Sequence, residues 1–142
     1  MEKYSSFNIL VFGLPGSGKS TFAKKLAEDK LAYFNADEIR TMFNDWDFTE
    51  EGRTRQAERM FALTGLANGD CVVDFVCPYD DFRADYNITV WMNTIQEGRF
   101  ADTNAMFEQP IMCDYHISKW FNDTHEALAG VVQRYLKWKK DV

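Results

Sequence analysis

No stretch of this sequence stays apolar for the roughly 18 residues that a membrane-spanning helix requires. Positive charge is short as well: 16 Lys and Arg stand against 22 Asp and Glu, for a net charge of −6. The first absence excludes a spanning helix and membrane partners. The second excludes a broad nucleic-acid surface, which needs a basic stripe, but leaves room for a local basic pocket that binds a small anion. Cysteine is scarce. Cys71, Cys77 and Cys113 cannot all pair, and none stands in a C-x-x-C or Cys/His metal spacing. Reduced thiols are expected, and with no signal-peptide pattern at the amino end the sequence reads as soluble and cytoplasmic. Repeats, low-complexity tracts and linkers are missing too. Residues 1–142 are therefore expected to form one domain, a length sufficient for one core but not two.

Hydrophobic residues make up 46% of the chain, ordinary for a globular protein, whereas aromatics reach 15%, enough for some to face a ligand instead of the core. Phe7 to Phe12 is a short apolar run ending at a glycine, the pattern of a buried parallel strand. Thr21 to Asp29 reads as a helix, Leu31 to Phe34 as a second strand, and Asp37 to Phe43 as a short helix. Thr49 precedes two glutamates and should start a helix with Ala57, Met60, Phe61 and Thr64 on one face. Cys71 to Val76, Ile88 to Met92 and Tyr115 to Ile117 supply three further strands. Thr124 should cap a final helix whose Leu128, Val131, Val132, Tyr135 and Leu136 follow the helical period. Strands alternating with helices imply an α/β/α three-layer domain around a parallel sheet of about five strands.

Gly13-Leu-Pro15-Gly16-Ser17-Gly18-Lys19-Ser20 fits G-x-x-x-x-G-K-[ST] without a mismatch, leaving an apolar strand and entering a helix as the motif requires. This is the phosphate-binding loop of the P-loop nucleoside-triphosphate hydrolase fold. Gly16 and Gly18 permit the backbone angles that turn N–H groups toward a phosphate. Lys19 should reach the β- and γ-phosphates and Ser20 should ligate Mg²⁺. The helix that begins near Thr21 adds a fixed partial positive charge. The expected ligands are ATP and Mg²⁺. The loop does not choose a reaction, because GTPases, ATPases, kinases and regulatory modules share it.

After the second strand comes Phe34-Asn35-Ala-Asp37-Glu-Ile-Arg40. A carboxylate there can accept a hydroxyl proton and the arginine can hold an anionic substrate; Asp37 as a helix cap and Arg40 as a solvated residue fit equally well. From this point the chain resembles the adenylylsulfate (APS) kinases, P-loop enzymes that phosphorylate the 3′-hydroxyl of APS to give PAPS. GLPGSGKST is the first matching block. NADEIR is similar to the family's D-G-D-N-[VI]-R. Asp47-Phe48-Thr49-Glu50-Glu51-Gly52-Arg53 is similar to G-F-S-x-x-D-R, and Asp74-Phe75-Val76-Cys77-Pro78-Tyr79 to S-F-I-S-P-Y. Phe100 to Pro110 keeps the spacing of F-T-G-I-D-S-P-Y-E-A-P. The resemblance implies that Asp37 lies near the acceptor hydroxyl, and that Arg40 and Arg53 grip the phosphosulfate with Gln56 one turn beyond. It also implies that Phe48 and Phe100 sandwich the substrate adenine, and that Val76 and the Cys77–Pro78 turn line the same pocket. Core packing is the alternative for both phenylalanines. A homodimer is implied by the resemblance alone.

Departures from the family pattern are equally specific. Asn35 replaces the first acidic residue of D-G-D and cannot take a proton, which leaves general-base work to Asp37. Asp74 ends an apolar strand where the family has a small residue; it resembles a Walker B aspartate able to hold Mg²⁺ through water, or else it bonds nearby backbone. The basic lid helix that the family carries is reduced to a few residues before Arg99, which is expected to supply part of the lid's charge. Two other readings stand beside an APS kinase. One is a kinase for another hydroxyl, on a nucleoside, a polynucleotide 5′-end or a small metabolite, since GLPGSGKST with N-x-D-x-I-R also resembles polynucleotide 5′-kinases. The other is a nucleotide-binding regulatory module.

Overall fold

The computed structural model describes residues 7–28, 31–67, 69–96 and 100–141. Strand β1 (Asn8–Phe12) is apolar and buried from Ile9 onward, so it belongs at the centre of a sheet covered on both faces. Around it lie β2 (Ala32–Asn35), β3 (Cys71–Phe75), β4 (Ile88–Met92) and β5 (Tyr115–Ile117), in the order β2-β3-β1-β4-β5 and all parallel. Helix α1 (Lys19–Ala27) and α5 (Trp120–Asp141) cover one face; α2 (Ala36–Phe43) and α3 (Glu50–Leu66) cover the other. Alternation of side chains along each strand divides the core accordingly. Ile9, Val11, Val72, Ile88 and Val90 pack under α1 and α5 with Phe22, Leu26 and Val131. Leu10, Phe12, Val73 and Phe75 pack under α2 and α3 with Ile39, Ala57 and Met60. The expected three-layer α/β/α arrangement is the one observed.

Local chemistry sets the helix ends that matter for the site. Thr49 caps α3 as expected, its hydroxyl accepting from the Gly52 N–H at 3.2 Å. Helix α2 is capped not by Asp37 but by Asn35, whose side chain accepts from the Glu38 N–H at 3.0 Å. A polar six-residue helix, α4 (Ala101–Met106), and a 3-10 turn over Asp80–Asp85 have no counterpart in the sequence reading. Helix α5 starts at Trp120, a turn before the expected cap at Thr124. On it Val131 is fully buried, whereas Val132 and Leu136 are exposed, so the buried stripe is narrower than the apolar one. Phe61 likewise sits at the edge of the buried face of α3, edge-on against Tyr86 at 5.4 Å. Among the described residues, no helix is long and apolar enough to cross a membrane.

Candidate active site

The loop from Gly13 to Gly18 joins the carboxyl end of β1 to α1, and its glycines sit where other residues would fail. Gly16 and Gly18 have φ of 90° and 95°, the left-handed region that side chains disfavour. At Gly13 a Cβ would come 2.4 Å from the Met92 carbonyl oxygen. Gly18 also caps α1, so the first turn of that helix opens onto the loop. The Lys19 ammonium donates to the Leu14 carbonyl at 3.1 Å and thus folds back across the loop. Ser17 is 2% exposed, and its hydroxyl has no partner among the described residues. Its carbonyl accepts from the Thr94 hydroxyl at 2.7 Å, which ties the chain after β4 to the loop.

A cavity of about 250 Å³ opens beside this loop. Pro15, Gly16, Gly18, Lys19, Ser20 and Thr21 form one wall, and Asn35, Asp37, Asp74 and Val76 face them from the ends of β2 and β3. Parallel β2 and β3 place Asn35 and Asp74 in register as neighbours. Asp74 is 2% exposed; its Oδ2 accepts from the Tyr33 hydroxyl and, at 3.3 Å, from the Asn35 amide. The same amide lies 3.4 Å from the Ser20 hydroxyl. Of the two readings open for Asp74, bonding to nearby backbone is not what is seen: its partners are side chains. Burial first, then the Asp74 carboxylate, pushes the Tyr33 hydroxyl up to about 12. The Ser20 hydroxyl and the Asp74 carboxylate are hard oxygen donors of the kind Mg²⁺ takes, alongside waters and ligand phosphates. Among the described residues, no group of three or more His, Cys, Asp or Glu is placed so that it could hold a metal ion by itself.

Arg40, Phe48, Arg53, Gln56, Cys77 and Phe100, also singled out in the sequence, do not line this cavity. The Arg40 guanidinium donates to the carbonyls of Asp45 and Asp47, at 2.8 and 3.3 Å, and lies 4.4 Å from the Phe48 ring centre. Burial lowers its pKa, with Asp45 opposing. Arg53 donates to the Phe48 carbonyl at 2.8 Å and to Asp102 and Thr103 at 3.2 Å each. Both arginines are 5% exposed. Gln56 donates to the Ala36 carbonyl at 3.1 Å and so braces α3 against the start of α2. Phe48 and Phe100 are 43% and 53% exposed, so neither is a core residue. Cys77 is buried at φ 45°; its carbonyl accepts from Arg83, and burial pushes its thiol up to about 12. Gly13 and Ser17 support the loop from behind the cavity wall. Arg99 lies outside the described residues.

Two residues that organise this region escaped sequence reasoning. Tyr33 stands two positions before Asn35, hence on the same face of β2, and that period was the available signal. Arg83 bonds the carbonyls of Cys77, Pro78 and Glu108 and lies against the rings of Phe12 and Phe107. A lone arginine in a polar turn announces none of this.

No protein-family model and no curated protein matches the chain. Solved structures do. The protein APE1195 superposes with a TM-score of 0.73 and 20% identity over 96% of both chains. The Mycobacterium tuberculosis APS kinase CysC, in complex with AMPPNP and APS, gives 0.71 and 20% over 91% of this chain and 96% of that one. Shikimate kinase from Acinetobacter baumannii, in complex with shikimate, gives 0.61 and 18% over 96% of both. The fold of this chain is that of the P-loop kinases, with an APS kinase among its structural neighbours as the sequence resemblance anticipated.

Proposed function

We propose that this protein is an ATP-dependent kinase that transfers the γ-phosphoryl group to a hydroxyl of a small anionic acceptor, with APS as the first candidate. One observation carries the reading: the phosphate loop and Asp37 line a single cavity. Phosphoryl transfer asks mainly for positioning and charge stabilisation. The loop amides, the α1 N-terminus and Lys19 hold the triphosphate. Asp37, exposed at the cavity edge in the first turn of α2, accepts the proton of the attacking hydroxyl. Ser20 and Asp74 would hold Mg²⁺, which supplies neutralisation of the charge on the transferred group. In the APS reading, Arg40 and Arg53 turn toward the phosphosulfate, Phe48 and Phe100 take the adenine, and Gln56, Val76 and Cys77 shape the floor. Arg99 adds charge over the phosphates.

A second acceptor class, a small hydroxylated acid, draws support from the same geometry. Both arginines are already bonded within the protein, and a guanidinium covers one face of Phe48, so an acceptor without a base asks for less rearrangement. Incubation with Mg-ATP and a panel of APS, hydroxy acids, nucleosides and oligonucleotides, read as phosphate transfer, separates the classes. PAPS formation lost in Asp37→Ala is the expected result; a phosphorylated hydroxy acid would select the second class. Tight ATP binding with no acceptor turned over would sink the kinase reading in favour of a regulatory module.

A further inference from the structure

We infer that Tyr33 is a positioning residue for the divalent cation, fixing the Asp74 carboxylate so that one oxygen stays turned to the cavity; this rests on the kinase reading above. The argument starts from which atoms are engaged. The Tyr33 hydroxyl and the Asn35 amide both donate to Asp74 Oδ2, and neither bonds Oδ1. An aspartate has only two side-chain torsions, so two donors on one oxygen settle the direction of the other. Tyr33 itself is absent from the cavity wall that Asp74, Asn35 and Ser20 line. It reaches Asp74 from outside that wall, with its ring against the apolar layer beneath α1 and α5. Its hydroxyl also meets the Asn35 amide at 3.5 Å and the Ser20 side chain, so it acts on the cavity only through side chains that line it, and the bond it donates goes to Asp74. The network also links three elements: β2 through Tyr33 and Asn35, β3 through Asp74, and α1 through Ser20. Outer partners that orient a ligating carboxylate commonly change metal affinity by about 10–100-fold when removed.

The test is binding, read apart from turnover. The full chain is titrated with Mn²⁺ in the presence of AMPPNP, following free Mn²⁺ by electron paramagnetic resonance, and AMPPNP affinity is measured separately in EDTA. Tyr33→Phe keeps the ring and removes one hydroxyl. The expected result is a Mn²⁺ half-saturation raised about tenfold, with metal-free AMPPNP affinity and the melting temperature of the unliganded protein unchanged. In the Asp74→Asn background, Tyr33→Phe should add nothing further. A shift in Asp74→Asn but none in Tyr33→Phe overturns the role of Tyr33 and leaves the metal site standing. Metal-free affinity falling as far as metal-loaded affinity also overturns it, because Tyr33 would then only support the fold. Unchanged half-saturation in both Asp74→Asn and Ser20→Ala removes the cation site itself, a failure distinct from that of Tyr33.

Discussion

Arg83 is 2% exposed, yet it carries a full charge against two aromatic rings, whose centres lie 4.5 and 4.8 Å from its guanidinium carbon. What keeps it there is a fork of donors that meets three backbone carbonyls and the Asp80 carboxylate. Those carbonyls belong to Cys77, Pro78 and Glu108, the turn after β3 and the segment after α4. Arg83 thus holds together two stretches with no regular structure to stabilise them. Lysine has the charge but not the planar fork. Arg83→Lys should therefore lower stability by roughly 2 kcal/mol, since carbonyls buried at this turn lose their partners. Urea denaturation of the two proteins measures it, and an unchanged midpoint would show that a point charge suffices. Cys77 beside it is held as a neutral thiol, its pKa raised to about 12 by burial, and should resist alkylation in the folded protein while Cys113, half-buried, reacts first.

At the scale of elements, legibility followed pattern strength. Strands β1, β3 and β4 announce themselves because burial on both faces demands runs of mostly apolar residues, here NILVF, CVVDF and ITVWM. The phosphate loop is equally plain, since its glycines are required by backbone angle and by close approach. Helix α4 and the 3-10 turn were not legible: Ala-Asp-Thr-Asn-Ala-Met and Asp-Asp-Phe-Arg-Ala-Asp have neither a full helical period nor a strong propensity, and tertiary bonds to Arg53 and Arg83 hold them. The 45–49 loop shows the same limit. Its sequence displays Phe48, but not that Asp45 takes Arg55 and Arg59 at 2.7 Å each, or that Gly52 is needed because a Cβ there would lie 2.1 Å from the Asp47 carbonyl oxygen. Hydrogen bonds from Arg55 and Arg59 hold Asp45 well below the usual carboxylate range; those from Thr49 and Arg55 lower Asp47. A carboxyl whose pKa falls on folding stabilises the native state above its unfolded value of about 3.9, and that contribution fades as pH drops further. Urea midpoints at neutral pH and at about pH 3 should therefore diverge more in wild type than in Asp45→Asn. Equal acid sensitivity in the two would show that the loop ion pairs do not govern it.

Across the whole molecule, the two ends of the sheet do different work. The carboxyl ends of β1, β2 and β3 carry the cavity, as open parallel sheets favour. At the opposite end, Asp70 gathers two distant parts of the chain, the start of β1 and α5. Its Oδ1 accepts from the Phe7 N–H at 2.8 Å, and its Oδ2 from the Tyr135 hydroxyl at 2.7 Å and the Lys139 ammonium at 3.5 Å. The Phe7 ring packs between Tyr135 and Trp138, so the carboxylate and the aromatics clamp α5 to β1 together. Asp70→Ala leaves a buried N–H and a partly buried hydroxyl unpaired, a loss of roughly 2–4 kcal/mol. Hydrogen exchange should speed up first along α5, because helix contacts near the clamp open before the sheet does. The cavity lies about 17 Å away, the length of a five-residue strand, across buried residues of β1 and β3 that are paired with neighbouring strands on both sides. Nucleotide affinity of Asp70→Ala, measured by titration well below its melting temperature, should therefore stay within about twofold of wild type, a difference under 0.5 kcal/mol. A larger loss would mean that α5 reports to the phosphate loop through α1, against which it packs, and that the sheet does not insulate one end from the other.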